Sequence, residues 1–468
     1  MKLWIEWFGC VQALRPACTR ARTFMWMCLV LFGFCTRSDL RGVTSFVRAG
    51  GFVANAYFRL LNLFHTPALV LDKLTTLWVR LAMKLFRPVR AGGRPIFVAD
   101  GLKAPKEGRL MPAVKKLHQE SGDNSKPEFI FGHSFQAVGL LVQNAFGQAF
   151  SVPLASRIHE GVVFCNADRR TLLDKLVELF LPIADVLNEP AILVADAYYA
   201  SKKVIRPLLE KGHHLVTRVR SNTVAFRTPP KPKIKRRGRP RKYGKKVRLR
   251  DLWKRKHLFN TAPSPVYGER DTEISYYSID LLWRPVGQLV RFVFVRHPTR
   301  GRIILMTTDT TLDPLDVIAI YGRRFKIEVG FKQALHTIGG YAYHFWMAMM
   351  KPFSRKSGNQ HVHMESEAYR RGLRRKIDAY HRHVQLACIA QGILQHLSLN
   401  FHKVVWEYFG SWMRTMKRSA PPSEAVVATS LRSALPEFLA GAPEEHELRK
   451  YLVDNAAIDR CPALQMVA

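Results

Sequence analysis

Three acidic side chains stand where they could act together as ligands. Asp100 closes the apolar run PIFVAD (95–100), Asp196 closes a second run, AILVAD (191–196), and Glu328 lies within YGRRFKIEVGFKQAL (321–335). Short apolar runs that end on an acid before a turn read as buried strands. Carboxylates at the C-terminal ends of neighbouring strands converge where open sheets hold their ligands, and a helix packed across that edge can deliver a third. Three such groups offer the hard oxygen donors that Mg²⁺ or Mn²⁺ prefers. Two ions roughly 4 Å apart would activate an attacking oxygen and steady a leaving one in phosphodiester displacement. Each acid also has a plainer reading: a turn or cap for an Asp after a strand, a salt-bridge partner for a helical Glu. It is their order along a strongly basic chain that favours the metal reading.

Glu328 has an unusual set of neighbours, Arg323, Arg324, Lys326 and Lys332. Tyr321, Arg324, Glu328 and Lys332 follow one another at steps of three, four and four, which stacks them along one side of a helix. A metal-holding acid flanked by bases that grip phosphate would produce this layout, with the ion and the DNA backbone in the same place. A surface salt-bridge ladder is the alternative. Among other titratable residues, His118 and His133 read as structural or DNA-adjacent, Asp309 as a turn residue, and Asp185 as a solvated position near a helix end.

The balance of charge points to the partner. Across 468 residues, 73 Lys and Arg face 36 Asp and Glu, a formal charge of +37. Such an excess favours a polyanion, and its spread through apparently globular segments favours nucleic acid over a membrane surface. Residues 229–250, PPKPKIKRRGRPRKYGKKVRLR, carry many bases and no acid, which reads as a loop or extended arm. Within it Arg237-Gly238-Arg239-Pro240, followed by Arg241, matches the core of an AT-hook, whose arginines enter a narrow minor groove. Non-specific phosphate binding is the other reading. Seven scattered cysteines without a CxxC pair argue against a disulfide framework or structural zinc site and fit a reducing cytoplasm. The apolar run Phe24 to Cys35 is shorter than the roughly 20 residues of a membrane span and has no signal-peptide cleavage site. It is expected to be a buried helix in a soluble, intracellular, nucleoid-associated protein.

The elements that must carry these residues divide the chain into five parts. Residues 1–90 have helical spacing and form a helical N-terminal region expected to contact DNA. Residues 91–222 begin at Gly92-Gly93 and alternate strands with helices, including a hairpin from FIFGHSFQAVGLLVQ and QAFSVPLASRI around NAFG. This is an α/β pattern with a mixed sheet. Residues 223–308 hold the basic loop and a β-rich insertion (EISYYSIDLLW, QLVRFVFVR, RIILMTTD). Residues 309–350 hold a helix that starts at Asp313-Pro314 in good capping order and runs through Glu328 to Gly339-Gly340. Residues 351–468 are mainly helical after a polar, disorder-prone SRKSGNQHVHMESE.

YGRRFKIEVGF resembles the Tyr-x₂-Arg-x₃-Glu helix motif of bacterial insertion-sequence DDE transposases, the subgroup with a β-rich insertion in an RNase H-like fold. VADGLKAPKEGRLMP with KPEFIFGHSF is similar to the segment around that family's first aspartate, and ILVADAYYAS to the second. RTFMWM, GVTSFVRAGG, HFWMAMMKP, AQGILQHL and PSEAVVATSLR also look family-like. The resemblance implies an RNase H-like catalytic core and a Mg²⁺- or Mn²⁺-binding triad of Asp100, Asp196 and Glu328 holding two ions. It implies phosphate contacts from Tyr321 and Arg324, with Lys332 on the same face. Cut-and-paste transposition through a DNA hairpin would follow, on the element's terminal inverted repeats and target DNA, with a homodimer pairing two ends. A flipped base in such a hairpin needs an aromatic platform; Trp253 and Trp283 are candidates, though core roles suit both. One departure stands out: the subgroup's motif ends in a Lys seven residues after the Glu, where this chain has Leu335. Lys332 or His336 could stand in for it. That change leaves open a decayed or reused DNA-binding protein.

Overall fold

A computed structural model of the chain describes residues 1–40, 42–119, 127–144, 147–230, 240–266, 268–269, 271–410 and 418–457. At Gly92-Gly93 the backbone reverses with both glycines at positive φ (53° and 77°). That reversal brings Ala91 opposite Arg94, and glycine adopts the two successive left-handed positions it needs at no steric cost. The strands that position the site are β1 (Arg94–Pro105), β2 (Phe129–Gln143), β3 (Ala149–Ile158), β4 (Ile192–Val194) and β5 (His214–Val219). They lie in the order β3-β2-β1-β4-β5. β2 is antiparallel to β1 and β3, whereas β4 runs parallel to both β1 and β5. This is the mixed sheet expected of an RNase H-like core.

The inner strands are continuous apolar runs because helices and other layers cover both faces; Ile96 to Ala99 and Ile192 to Ala195 are fully buried. The crossover between β3 and β4 contains the Leu172–Asp185 helix. Thr171 and Asp174 form a reciprocal capping box at its start, which satisfies two amide groups that a helix leaves open. The Lys202–Glu210 helix, capped by Ser201, then leads into β5.

Three expectations need correction. β1 does not stop at Asp100 but runs on to Pro105. The reason is β2, long enough to pair with β1 from Phe97 through Pro105, while the parallel neighbour β4 ends at Val194. Asp100 therefore sits mid-strand, where β1 loses one of its two neighbours. The helix expected from Asp313 to Gly339 is in pieces: Pro314–Gly322, a break at Arg323–Phe325, Lys326–Gln333, and a π turn over Ala334–Ile338. Asp313 does cap its start, accepting from the Leu315 amide at 2.8 Å. The polar stretch after residue 353 is ordered rather than loose. Gln360–His361 pairs in parallel with Val162–Val163, and Gln360 is 3% exposed. Its amide accepts from Ala113 N–H (3.1 Å) and donates to the carbonyls of Met111 (3.1 Å) and Val114 (3.0 Å).

Beyond β5 the longer strands β6 (Glu273–Trp283), β7 (Gln288–His297) and β8 (Gly301–Thr307) run antiparallel to their neighbours. β8 pairs antiparallel with β5, Thr307 opposite Val216, so these strands extend the core sheet instead of standing apart from it. Arg237 and Arg239 lie outside the described residues; Arg241 is exposed.

The helices Lys2–Gln12, Ala21–Thr36, Thr44–Gly50, Ala56–His65 and Leu71–Leu85 precede the sheet. Ala21–Thr36 is apolar all round and almost wholly buried, as such a helix must be. It packs against Glu367–Asn400, a 34-residue helix whose stretch from His383 to Ser398 is buried. Among the described residues no helix is long and apolar enough to cross a membrane.

Candidate active site

β1 and β4 run parallel with Ile96 opposite Ile192 and Val98 opposite Val194. The paired stretch ends at Val98 and Val194, two residues before each acid; Asp196 lies in the turn just past β4, near enough that its charge acts on Asp100. Each acid is fixed by short local bonds. Asp100 Oδ1 accepts from Gly101 N–H at 2.8 Å. Asp196 starts a 3₁₀ turn, Oδ1 accepting from Tyr198 N–H at 2.8 Å, and its carbonyl takes the Thr217 hydroxyl at 2.6 Å. So the plainer reading of Asp196 as a cap is also true of it, without removing its second carboxylate oxygen from use.

Beneath the two acids runs a polar tie that the sequence reading missed. Gln136 of β2 donates to the Asp100 carbonyl at 3.0 Å and accepts from the Tyr199 hydroxyl at 2.9 Å. Gln136 is 1% exposed and Tyr199 4%. Buried polar groups are almost always paired, so the one available signal was a glutamine inside the otherwise apolar run FQAVGLLV.

The third acid arrives through an arginine. Arg324 Nη1 donates to Asp100 Oδ2 and its Nη2 to Glu328 Oε1, each at 2.8 Å. The two carboxylates therefore lie within about 8 Å of one another across one planar guanidinium. Arg324 stands in the helix break, where Arg324, Lys326, Ile327 and Glu328 bond back three residues instead of four; this tighter winding re-aims the turn. Burial raises the Asp100 carboxyl above the usual aspartate range; Arg324 and the Gly101 amide oppose this, and Asp196 and Glu328 add to it. For Arg324, burial works against the charge, but Asp100, Tyr321 and Glu328 outweigh it and hold the guanidinium more firmly protonated. The Tyr321 hydroxyl is raised by burial, against the pull of Arg324 and Arg218.

The break qualifies the expected one-sided ladder. The Arg324–Glu328 pair survives as an i, i+4 contact, and Lys332 is exposed one turn on. Tyr321 is on the preceding helical piece and packs into the apolar cluster behind it. Leu335 falls in the π turn and packs against the cluster of Ala104, Phe135, Tyr341, Val384 and Cys388.

The remaining candidates take plainer roles. His133 is fully buried, with its ring bonded to the Pro112 carbonyl at 2.8 Å, and burial lowers its pKa to about 3. His118 lies 3.6 Å from Glu128. Asp309 closes a turn through Thr311 and pairs with Arg94 at 2.5 Å, and Asp185 ends its helix exposed. Trp253 stacks on Phe259 at 5.6 Å with Arg296 over both rings, and Trp283 is 7% exposed.

Hard carboxylate oxygens suit a divalent ion, and the acids share their surroundings with cations, Arg324 between Asp100 and Glu328 and Arg218 near Tyr321. Among the described residues, however, the one group of His, Cys, Asp and Glu donors all within 4.8 Å of each other is Glu6, Cys10 and His396. A 2.8 Å hydrogen bond between His396 and Glu6 accounts for the closest approach in that group. Asp100, Asp196 and Glu328 are spread more widely, with Arg324 between the first and the last. A groove of 1470 Å³ is lined by Gln136, the exposed Tyr198, Arg170, Lys175 and Arg374, and by none of the three acids.

Residues 139–340 match the family described as the transposase DDE domain. The matched stretch contains Asp196, Tyr321, Arg324 and Glu328 and begins beyond Asp100. This similarity supports a DDE-type transposase and, with it, action on DNA. No curated protein matches the chain.

Proposed function

We propose that this protein is an insertion-sequence transposase that cuts DNA at its element's terminal inverted repeats and joins the freed ends to target DNA. The observation that carries the reading is the approach of Asp196, just past the end of β4, to Asp100 on the neighbouring parallel β1, with Arg324 linking Asp100 to Glu328. In this reading the three carboxylates hold Mg²⁺ or Mn²⁺. When bound, such ions would supply an activated oxygen nucleophile and charge stabilisation for in-line displacement at phosphorus.

The side chains have distinct tasks. Arg324 turns from the carboxylates to a DNA phosphate, which frees Asp100 and Glu328 as ligands and keeps the local charge balanced. Tyr321 and Lys332 add phosphate contacts, and the Gln136–Tyr199 tie keeps Asp100 from shifting along β1. The first displacement, by water, frees a 3′-hydroxyl; a second, by that hydroxyl on the opposite strand, makes a hairpin; reopening and strand transfer follow. The basic stretch around Arg237, Arg239 and Arg241 grips DNA, and two copies pair the two ends.

Cleavage of DNA bearing the element's own ends tests this. Asp100→Ala, Asp196→Ala and Glu328→Gln proteins should bind that DNA and fail to cut it, and retained cutting by any of them would remove that residue from the site. Leu335, packed into an apolar cluster where the subgroup has a lysine, favours a second reading in which DNA binding persists without chemistry. A wild-type protein that binds the ends yet never cuts them in Mg²⁺ or Mn²⁺ would decide for it.

A further inference from the structure

The helical stretch that carries Glu328 ends at Ile338-Gly339, and the group that holds this end comes from 301 positions earlier in the chain. Arg37 follows the Ala21–Thr36 helix and is 5% exposed. Its Nη2 donates to the carbonyls of Ile338 (2.5 Å) and Gly339 (3.1 Å), and its Nη1 to the Ser45 hydroxyl (3.1 Å). The guanidinium lies over the rings of Phe34 and Phe46, 4.7 Å from each. Terminal carbonyls of a helix lack partners within it, and the partial negative charge there attracts a cation.

The joint is closely fitted. Gly339 has a φ of 66°, and a Cβ there would stand 2.7 Å from Arg37 Nη2 and 2.8 Å from Leu40 Cβ. His383 of the Glu367–Asn400 helix bonds the next carbonyl, Gly340, at 3.1 Å, and its ring packs on Phe34 and Phe46. Burial lowers the Arg37 pKa to about 9, with Asp39 and Cys35 opposing. Asp39 is itself engaged by Arg48. Carbonyl dipoles and aromatic faces thus provide the immediate surroundings of a buried charge, an arrangement that lasts only where the geometry fits well.

We propose that Arg37 is a positioning residue for Glu328: it locks the C-terminal end of the Glu328 helix to the N-terminal helical region, so that this region sets the helix's placement against Asp100. The consequence for cleavage rests on the catalytic reading of Glu328 given above; the mechanical link does not.

The test is Arg37→Met in the full chain, which keeps the bulk and loses every donor. Backbone hydrogen exchange is followed across 326–338 alongside DNA binding and cleavage. Exchange is expected to rise locally in 326–338, with the sheet strands unchanged and end-DNA affinity within about twofold. Cleavage is expected to fall on the order of 10²-fold, the effect of a misplacement of about 1 Å. Arg37→Lys, with one ammonium for the same carbonyls, should recover part of both losses. Unchanged exchange in 326–338 would overturn the proposal whatever Glu328 does, as would a uniform rise throughout the protein. Should Arg37→Met fail to fold, Ser45→Ala, which releases one side of the guanidinium, carries the same test. A parallel Glu328→Gln protein that still cuts DNA would refute the catalytic reading alone, leaving the exchange result to decide the mechanical link.

Discussion

Asp100 of β1 feels the charge of Asp196, 96 positions away in the chain, because Val98 pairs with Val194 just before the two acids. Backbone pairing fixes the strands up to Val98 and Val194, and beyond it each carboxylate is held by a local amide, Asp100 by Gly101 and Asp196 by Tyr198. Two carboxylates so placed repel each other, and Arg324 supplies the opposing charge. Its bond to Asp100 also reaches Glu328, which joins a sheet edge to a helix break.

Asp100→Asn should raise thermal stability at neutral pH. The Asp100 carboxyl is shifted above the usual aspartate range, mainly by burial. The folded state thus holds its proton to higher pH than the unfolded chain does. Stability contributed by this group is present below the ordinary aspartate pKa and is lost as pH rises through the shifted value. The gain from Asp100→Asn should therefore shrink as pH falls toward the ordinary aspartate range. Melting temperatures of the two proteins across pH 3–8 check this, and a gain that grows on acidification would contradict it.

Arg324→Ala should lower cleavage and push the Asp100 carboxyl further up, since Arg324 opposes that shift. The acidic limb of the cleavage profile should move to higher pH. A pH series in Mn²⁺ reads the movement; a limb that stays in place would mean Asp100 does not govern it.

Leu335→Lys should not restore a missing function. The side chain packs on Ala104, Phe135 and Tyr341, so an ammonium there costs about 1–2 kcal/mol in lost burial and desolvation. A lower melting temperature without faster cleavage is expected. Faster cleavage would show that the π turn can present a base to DNA.

Gln360→Ala should destabilise by about 2–4 kcal/mol, because it strands the buried Ala113 amide and two carbonyls. Urea unfolding measures this. A change below about 1 kcal/mol would mean that water replaces the amide.

Neutralising Arg236, Arg237, Arg239 and Arg241 together should flatten the salt dependence of DNA affinity. Each lost phosphate contact removes about 0.9 from the slope of log affinity against log salt, so the change should reach roughly 2–4. An identical slope would place this stretch away from the DNA.

The sequence by itself determined the elements whose pattern is local. PIFVAD and AILVAD are apolar over enough residues to be buried strands. Asp313-Pro314 starts a helix, and Phe24 to Cys35 can only be a buried one. Each acid was legible too, since its neighbours in the chain mark it. What only the tertiary structure decided are the long-range meetings: Asp196 brought near Asp100, Arg324 bonded to Asp100 across 224 positions, Gln136 tied to Tyr199, Arg37 on Ile338 across 301. Hydrophobic periodicity reports which face of a segment is covered, not by what. The length of β1 depended on β2 beside it and the order of the 354–367 stretch on where Gln360 found partners; the break at Arg323–Phe325 places Arg324 between Asp100 and Glu328. Register between distant strands is a property of the whole core.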